Sequence, residues 1–150
     1  MNKVDLAYYA GIFDGEGCIS IGKAIKKKYH KDGTERECVT YGLRIEVVNT
    51  NEWLCRQLWF AFGGYVRQMK EPEINRQAVW VWQTQCKHAS EVLQTLLPYL
   101  KLKRPQAEIA IAFQGRVHQH GKRALTEEER ALREAQKIMI SNMNRPIRKG

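Results

Sequence analysis

The hydrophobic pattern of this chain passes twice from a helical segment into paired runs of strict alternation. Leu6 to Phe13 is a short apolar stretch that Asp5 caps, which predicts a helix over residues 6–14 closed by Gly15 and Gly17. From Cys18 to Ile25 the period becomes two, with Ile19, Ile21 and Ile25 pointing one way. A turn at Lys31-Asp32-Gly33-Thr34 leads into a second alternating run, Cys38 to Val48. There Val39, Tyr41, Leu43, Ile45 and Val47 share one face, and Thr40, Gly42, Arg44 and Glu46 share the other. The product is a long hairpin with one apolar face and one polar, basic face.

The pattern then repeats. Asn51 caps a helix carrying Trp53, Leu54, Leu58, Trp59 and Phe62, and Gly63-Gly64 stops it. A second hairpin runs from Tyr65 to Lys70, turns at Glu71-Pro72-Glu73 and returns from Gln77 to Gln85. Trp80 and Trp82 alternate with Val79 and Val81, so both faces of this last strand are apolar and the facing of the tryptophans stays open. A third helix over residues 87–97 stops at Leu97-Pro98, and Pro105 suits the first position of a fourth that reaches Gln119. Thr126-Glu127-Glu128-Glu129 is a capping box that opens a fifth helix, to about Ser141. Residues 142–150 carry Arg145, Arg148 and Lys149 and no acid, the composition of a tail that is loose or contacts a polyanion.

Read as αββαββα with helical additions, the order is a duplicated αββ unit in the α+β class. Four antiparallel strands carry helices on one face, and the other face is left free for something polar and large. One domain is expected over residues 1–150, with its core at about 5–117 and a C-terminal helix and basic tail from about 121.

Charge narrows the partner. The chain has 25 Lys and Arg against 16 Asp and Glu, a formal net charge of +9, which favours nucleic acid first and an acidic membrane second. No apolar run approaches the roughly 18 to 20 residues that span a bilayer. Asp5, Asp14 and Glu16 interrupt the N-terminus, so no secretory signal is readable and a cytoplasmic location is expected, or an organellar or nucleoid one for an organelle-encoded chain. Cys18, Cys38, Cys55 and Cys86 form no C-x-x-C pair and read as reduced thiols. His118 and His120 lack a nearby Cys, Asp or Glu to complete a metal site.

One string carries more. Tyr9-Ala10-Gly11-Ile12-Phe13-Asp14-Gly15-Glu16-Gly17 resembles the signature of the LAGLIDADG homing endonucleases almost position for position. Three further stretches follow in the same order and spacing: Val47-Val48-Asn49-Thr50-Asn51, Gly64-Tyr65-Val66-Arg67, and Leu96 through Lys103. The resemblance covers about residues 5–117 and includes a single signature.

That resemblance implies a homodimer, because chains with one signature must pair. Small residues on the signature helix, Ala7, Ala10 and Gly11 with Gly15, would then lie at the dimer interface, where bulk would push the backbones apart. Twofold symmetry implies a palindromic or near-palindromic duplex DNA target. The implied reaction is intron homing chemistry: hydrolysis of phosphodiester bonds to leave short 3′ overhangs, dependent on Mg²⁺, with Mn²⁺ or Ca²⁺ able to bind in its place. Glu16, with Gly15, falls at the metal position, while Asp14 reads as a helix-ending residue. Lys103 matches a lysine that acts on the phosphate or on the solvent around the nucleophile. Asn49 stands where the family carries a polar residue that orients water, although a strand-end turn residue fits the position equally.

A β-ribbon advances at nearly the rise of B-DNA and fits the major groove. The polar hairpin faces therefore turn Ser20, Gly22, Ala24, Lys26, Lys28, Thr40, Arg44 and Glu46 toward DNA, with Arg67 and Thr84 at matching positions of the second hairpin. Arg44 and Arg67 are the expected guanine readers, and the lysines the phosphate contacts. A catalytically silent protein on the same fold, an intron maturase or a transcription regulator, is the alternative.

Overall fold

The computed structural model describes residues 1–146, so Arg148 and Lys149 of the basic tail lie outside the described residues. The elements in chain order are α1 (Lys3–Glu16), β1 (Gly17–Tyr29), β2 (Glu35–Asn49), α2 (Glu52–Phe62), β3 (Tyr65–Lys70), β4 (Val79–Gln85), α3 (Cys86–Leu96), α4 (Arg104–His120) and α5 (Glu127–Asn144). The four strands form one antiparallel sheet in the order β1-β2-β4-β3.

Helix α1 starts earlier than the apolar run suggests. Asn2, not Asp5, is its cap: the Asn2 Oδ1 accepts the Asp5 backbone N–H at 2.9 Å. Its extra first turn, Lys3 and Val4, faces away from the core and so leaves no mark in the hydrophobic pattern. The first hairpin is likewise longer, because Lys26 to Tyr29 keep pairing with Glu35 to Cys38 beyond the buried part of the sheet. Gly33 turns the chain at φ 84°, and the Asp32 carboxylate fixes the turn by accepting the Thr34 N–H and hydroxyl. Ile25 sits on this overhanging arm and is exposed rather than buried.

Helices cover one side of the sheet. Ile19, Ile21, Leu43, Ile45 and Val47 point into them and are buried with Phe13, Cys55, Leu58, Leu93 and Phe113. Trp82 also points inward, opposite Val47, and its indole N–H donates to the Gly63 carbonyl at 2.8 Å. Trp80 takes the same side, half-buried, with the Arg56 guanidinium 5.7 Å above its ring. Both tryptophans therefore belong to the helical side of the sheet.

Helix α5, capped by Thr126, packs along α4 and β1, and its Ile140 joins the buried core. Polar contacts from three of its residues hold it there. Glu129 joins Arg116 of α4 and Arg133, Glu134 accepts the Tyr41 hydroxyl at 2.6 Å and pairs with Lys23 at 3.2 Å, and the Asn144 amide donates to the Ile19 carbonyl at 2.7 Å. No helix among the described residues is long and apolar enough to cross a membrane.

Candidate functional site

The junction of α1 with β1 is closely packed. A Cβ on Gly17 would lie 2.5 Å from the Phe13 carbonyl oxygen and 2.6 Å from its ring, so only glycine lets the helix run directly into the strand. Glu16 is thereby fixed as the last residue of α1, exposed and without a hydrogen-bond or ion-pair partner among the described residues.

Asp14 has a different job. Its carboxylate accepts the backbone N–H groups of Lys101 and Lys103 at 2.8 and 2.9 Å, tying the loop before α4 to the end of α1. The Lys103 ammonium donates back to the Asp14 backbone carbonyl at 2.7 Å. That carbonyl belongs to the last turn of α1, where helix carbonyls lack intrahelical donors and a cation is favoured. Lys103 is thus anchored two residues before Glu16, whereas Lys101 contributes its backbone to the same clasp. Around the start of β1 more charge gathers. Burial pushes the Cys18 thiol above its ordinary pKa and Glu46 adds to the rise, while Lys103 and Arg44 oppose it, so all four groups share one neighbourhood.

From here the open face of the sheet extends outward. Successive rungs pair Cys18 with Glu46, Ser20 with Arg44, Gly22 with Gly42, Ala24 with Thr40, Lys26 with Cys38 and Lys28 with Arg36. Arg44 and Glu46 lie 3.7 Å apart as a weak, partly exposed pair. Lys26 and Lys28 carry no ion pair among the described residues, whereas Lys27 points to the other side and pairs with Glu35 at 2.9 Å. Arg67 is exposed on β3, on the same open face.

One expected position needs correction, and another is found in a turn. Thr84 is not on this face. It is buried against the helices opposite Ile45, with its hydroxyl 2.8 Å from the His88 Nδ1. Its neighbours Gln83 and Gln85 hold the open-face positions, opposite Glu46 and Arg44, and Tyr65 stands beside Gln83. The signal for these was Trp82: taken as core, it puts Gln83 and Gln85 outside. Asn49 is built into a turn. Its Oδ1 accepts the Asn51 N–H at 2.8 Å, and Asn51 in turn caps α2.

No protein-family model and no curated protein matches the sequence. Solved structures do. The homing endonuclease I-CvuI, in complex with DNA in the presence of Mg, superposes at a TM-score of 0.66 and 16% identity, over 99% of this chain and 87% of that one. The archaeal intron-encoded homing endonuclease I-Vdi141I, complexed with DNA, gives 0.68 and 14% over 98% and 89%. The LAGLIDADG homing endonuclease I-LtrWI, bound to target DNA, gives 0.58 and 16% over 97% of this chain but 45% of its own. This chain has the LAGLIDADG homing endonuclease fold.

Within that fold the outer side of α1 is bare. Val4 (77% exposed), Ala7, Tyr8 (54%), Gly11 and Gly15 form a stripe along it, and Leu102 (73%) projects from the adjacent loop. Ala10 does not belong to this stripe. It is fully buried beside Phe13 in the chain's own core, which corrects the expectation that it faces a second copy. Among the described residues no three His, Cys, Asp or Glu side chains gather as a metal site. Glu16 offers a free carboxylate, and that of Asp14 is already spent on two amides. A single chain therefore offers one free carboxylate beside the Gly15 backbone, a hard oxygen donor of the kind that suits a divalent cation but too few to enclose one by itself.

Proposed function

We propose that the chain is a sequence-specific endonuclease for double-stranded DNA that acts as a homodimer. The observation that carries this reading is the unpaired Glu16 at the end of α1, beside a Lys103 ammonium clasped to the same helix end. An open sheet face with Arg44, Arg67, Lys26 and Lys28 leads away from it. The neighbours are DNA-bound, and one of them, more than twice the matched length, has room for a second such unit. A lone unit reaches the equivalent assembly by pairing with its copy through the Val4, Ala7, Gly11 stripe. The target would then be palindromic or nearly so.

In this reading Glu16 from each copy, with the Gly15 backbone, would hold a Mg²⁺ ion, which would supply a more acidic bound water and charge neutralisation for phosphodiester hydrolysis. Lys103 keeps a positive charge at a fixed place beside the phosphate. Arg44, Arg67, Gln83 and Gln85 meet base edges, with Ser20, Thr40 and Glu46 alongside them. Lys26 and Lys28 meet the backbone. Staggered cuts that leave short 3′ overhangs are the expected product.

The test is a duplex enriched by the chain from a randomised pool in Ca²⁺, then incubated with Mg²⁺ or EDTA. Cleavage in Mg²⁺ alone is expected, with Glu16→Gln retaining affinity and losing cleavage at least about a hundredfold. Tight binding with no cleavage by the unaltered chain would instead identify a silent binder on this fold, and full cleavage by Glu16→Gln would remove Glu16 from the centre.

A further inference from the structure

Gly22 and Gly42 face each other across the β1–β2 ladder, on the open side, between the Ser20–Arg44 and Ala24–Thr40 rungs. Opposed glycines weaken a sheet: they lose more chain entropy on folding and bring no side chain to the rung. Nothing in the fold requires them here. Neither has a positive φ, a Cβ on Gly42 would meet no atom within 4 Å, and one on Gly22 would meet only the Gly42 carbonyl oxygen at 3.9 Å, an ordinary contact. Gly17 and Gly64 differ, since an added Cβ would come within 2.5 and 2.6 Å of backbone there. The missing side chains leave a depression of about 230 Å³ with Gly22, Gly42, Ser20, Arg44, Gln85 and Cys86 around it.

The room is kept on the ligand's side of the sheet. Glycine inside a strand marks a bulge, a bend or a close approach by another molecule, and the unbroken β1–β2 register leaves no bulge at this rung. We infer that the Gly22–Gly42 rung is a specificity-determining seat, where duplex DNA comes down onto the sheet backbone and is selected by steric fit instead of by side-chain hydrogen bonds. This rests on the DNA-binding reading above. A rung advances by two residues, about 6.6 Å, close to two base-pair steps. Each half-site therefore holds about two adjacent base pairs met by bare backbone, between stretches met by Arg44 and by Thr40.

The experiment uses the duplex enriched by the unaltered full-length chain from a randomised pool. Gly22→Ala/Gly42→Ala is compared with Gly115→Ala, which adds a methyl in open space on α4. The double variant is expected to keep or raise Tm and to bind the enriched duplex at least tenfold more weakly, while Gly115→Ala binds as the unaltered chain does. Equal affinity for the double variant overturns the inference and leaves the DNA-binding reading standing. A fall in its Tm also overturns it, because the glycines would then serve the fold. If the unaltered chain enriches no duplex, the DNA-binding reading fails and the inference with it.

Discussion

Asp14 and Lys103 hold each other twice: the carboxylate of one takes the backbone N–H of the other at 2.9 Å, and the ammonium returns to the aspartate's own carbonyl at 2.7 Å. The acid that is engaged by backbone amides is thus the one that positions the cation. Its partner in sequence, Glu16, has no hydrogen-bond or ion-pair partner among the described residues.

Asp14→Asn should therefore act on structure and activity together. An amide presents one acceptor where the carboxylate presents two, so one of the Lys101 and Lys103 N–H groups loses its partner, at a cost of about 1–3 kcal/mol. Denaturant unfolding reads that loss. Cleavage should fall with it, even under conditions where the variant is fully folded, since the loop that carries Lys103 is held by one hydrogen bond fewer. Unchanged cleavage would leave the clasp a purely architectural device.

The α1 stripe separates two neighbouring residues. A Cβ on Gly11 meets nothing within 4 Å, so Gly11→Leu should preserve the folded protomer and gain roughly 0.5–1 kcal/mol of helix propensity. The same bulk should block pairing, which sedimentation analysis detects as a shift from dimer to monomer. Ala10→Leu overpacks a fully buried site and should cost about 1–3 kcal/mol in the protomer itself.

Thr84 and Gln83 make the corresponding contrast on β4. Thr84→Val strips the hydroxyl from a buried pair with His88 and should lower stability by about 1–3 kcal/mol without changing affinity for DNA. Gln83→Ala, on the open face, should do the reverse. Melting curves and a binding isotherm on both variants check the assignment.

Docking of α5 should respond to acid. The Tyr41 hydroxyl and then Lys23 hold the Glu134 carboxyl below the ordinary glutamate value. A lowered folded-state pKa contributes stability that is complete above the unfolded value, about 4.3, and lost as pH falls through the lower folded value. The Tm difference between the unaltered chain and Glu134→Gln should thus be constant from pH 7 to about 5 and vanish below the folded value. The Lys23 ammonium, raised first by its hydrogen bond to Glu134, contributes the opposite limb. Its share is present below the ordinary lysine value and lost as pH rises through the raised one.

The sequence disclosed what depends on local chemistry. Asn51, Thr126, Pro105 and the Gly63-Gly64 pair act within a few residues of themselves, and each marks an element boundary where the structure has one. It disclosed less where the core was absent or doubled. Lys3 and Val4 extend α1 without touching the interior, and Lys26 to Tyr29 extend β1 past the helices, so neither leaves a hydrophobic trace. In β4 the valines and tryptophans alternate with equal apolarity, which hid the facing of Thr84 until Trp82 could be seen under Phe62. Spacing put Ala7, Ala10, Gly11 and Gly15 together as small residues. Only tertiary contact distinguishes Ala10, which serves its own core, from the three that lie bare.

The amide of Asn144 on the Ile19 carbonyl has one more effect. Strand β1 ends the sheet, and an end strand with free carbonyls is a template on which another chain can add. Helix α5 occupies that margin, and at the far margin β3 is six residues long with a register shift between Gln68 and Lys70. The buried stretch of β1 and the short, shifted β3 are thereby poor templates for β-type growth, although the sheet keeps one face uncovered. Copies of the protein can come close to one another without these edges zippering them together.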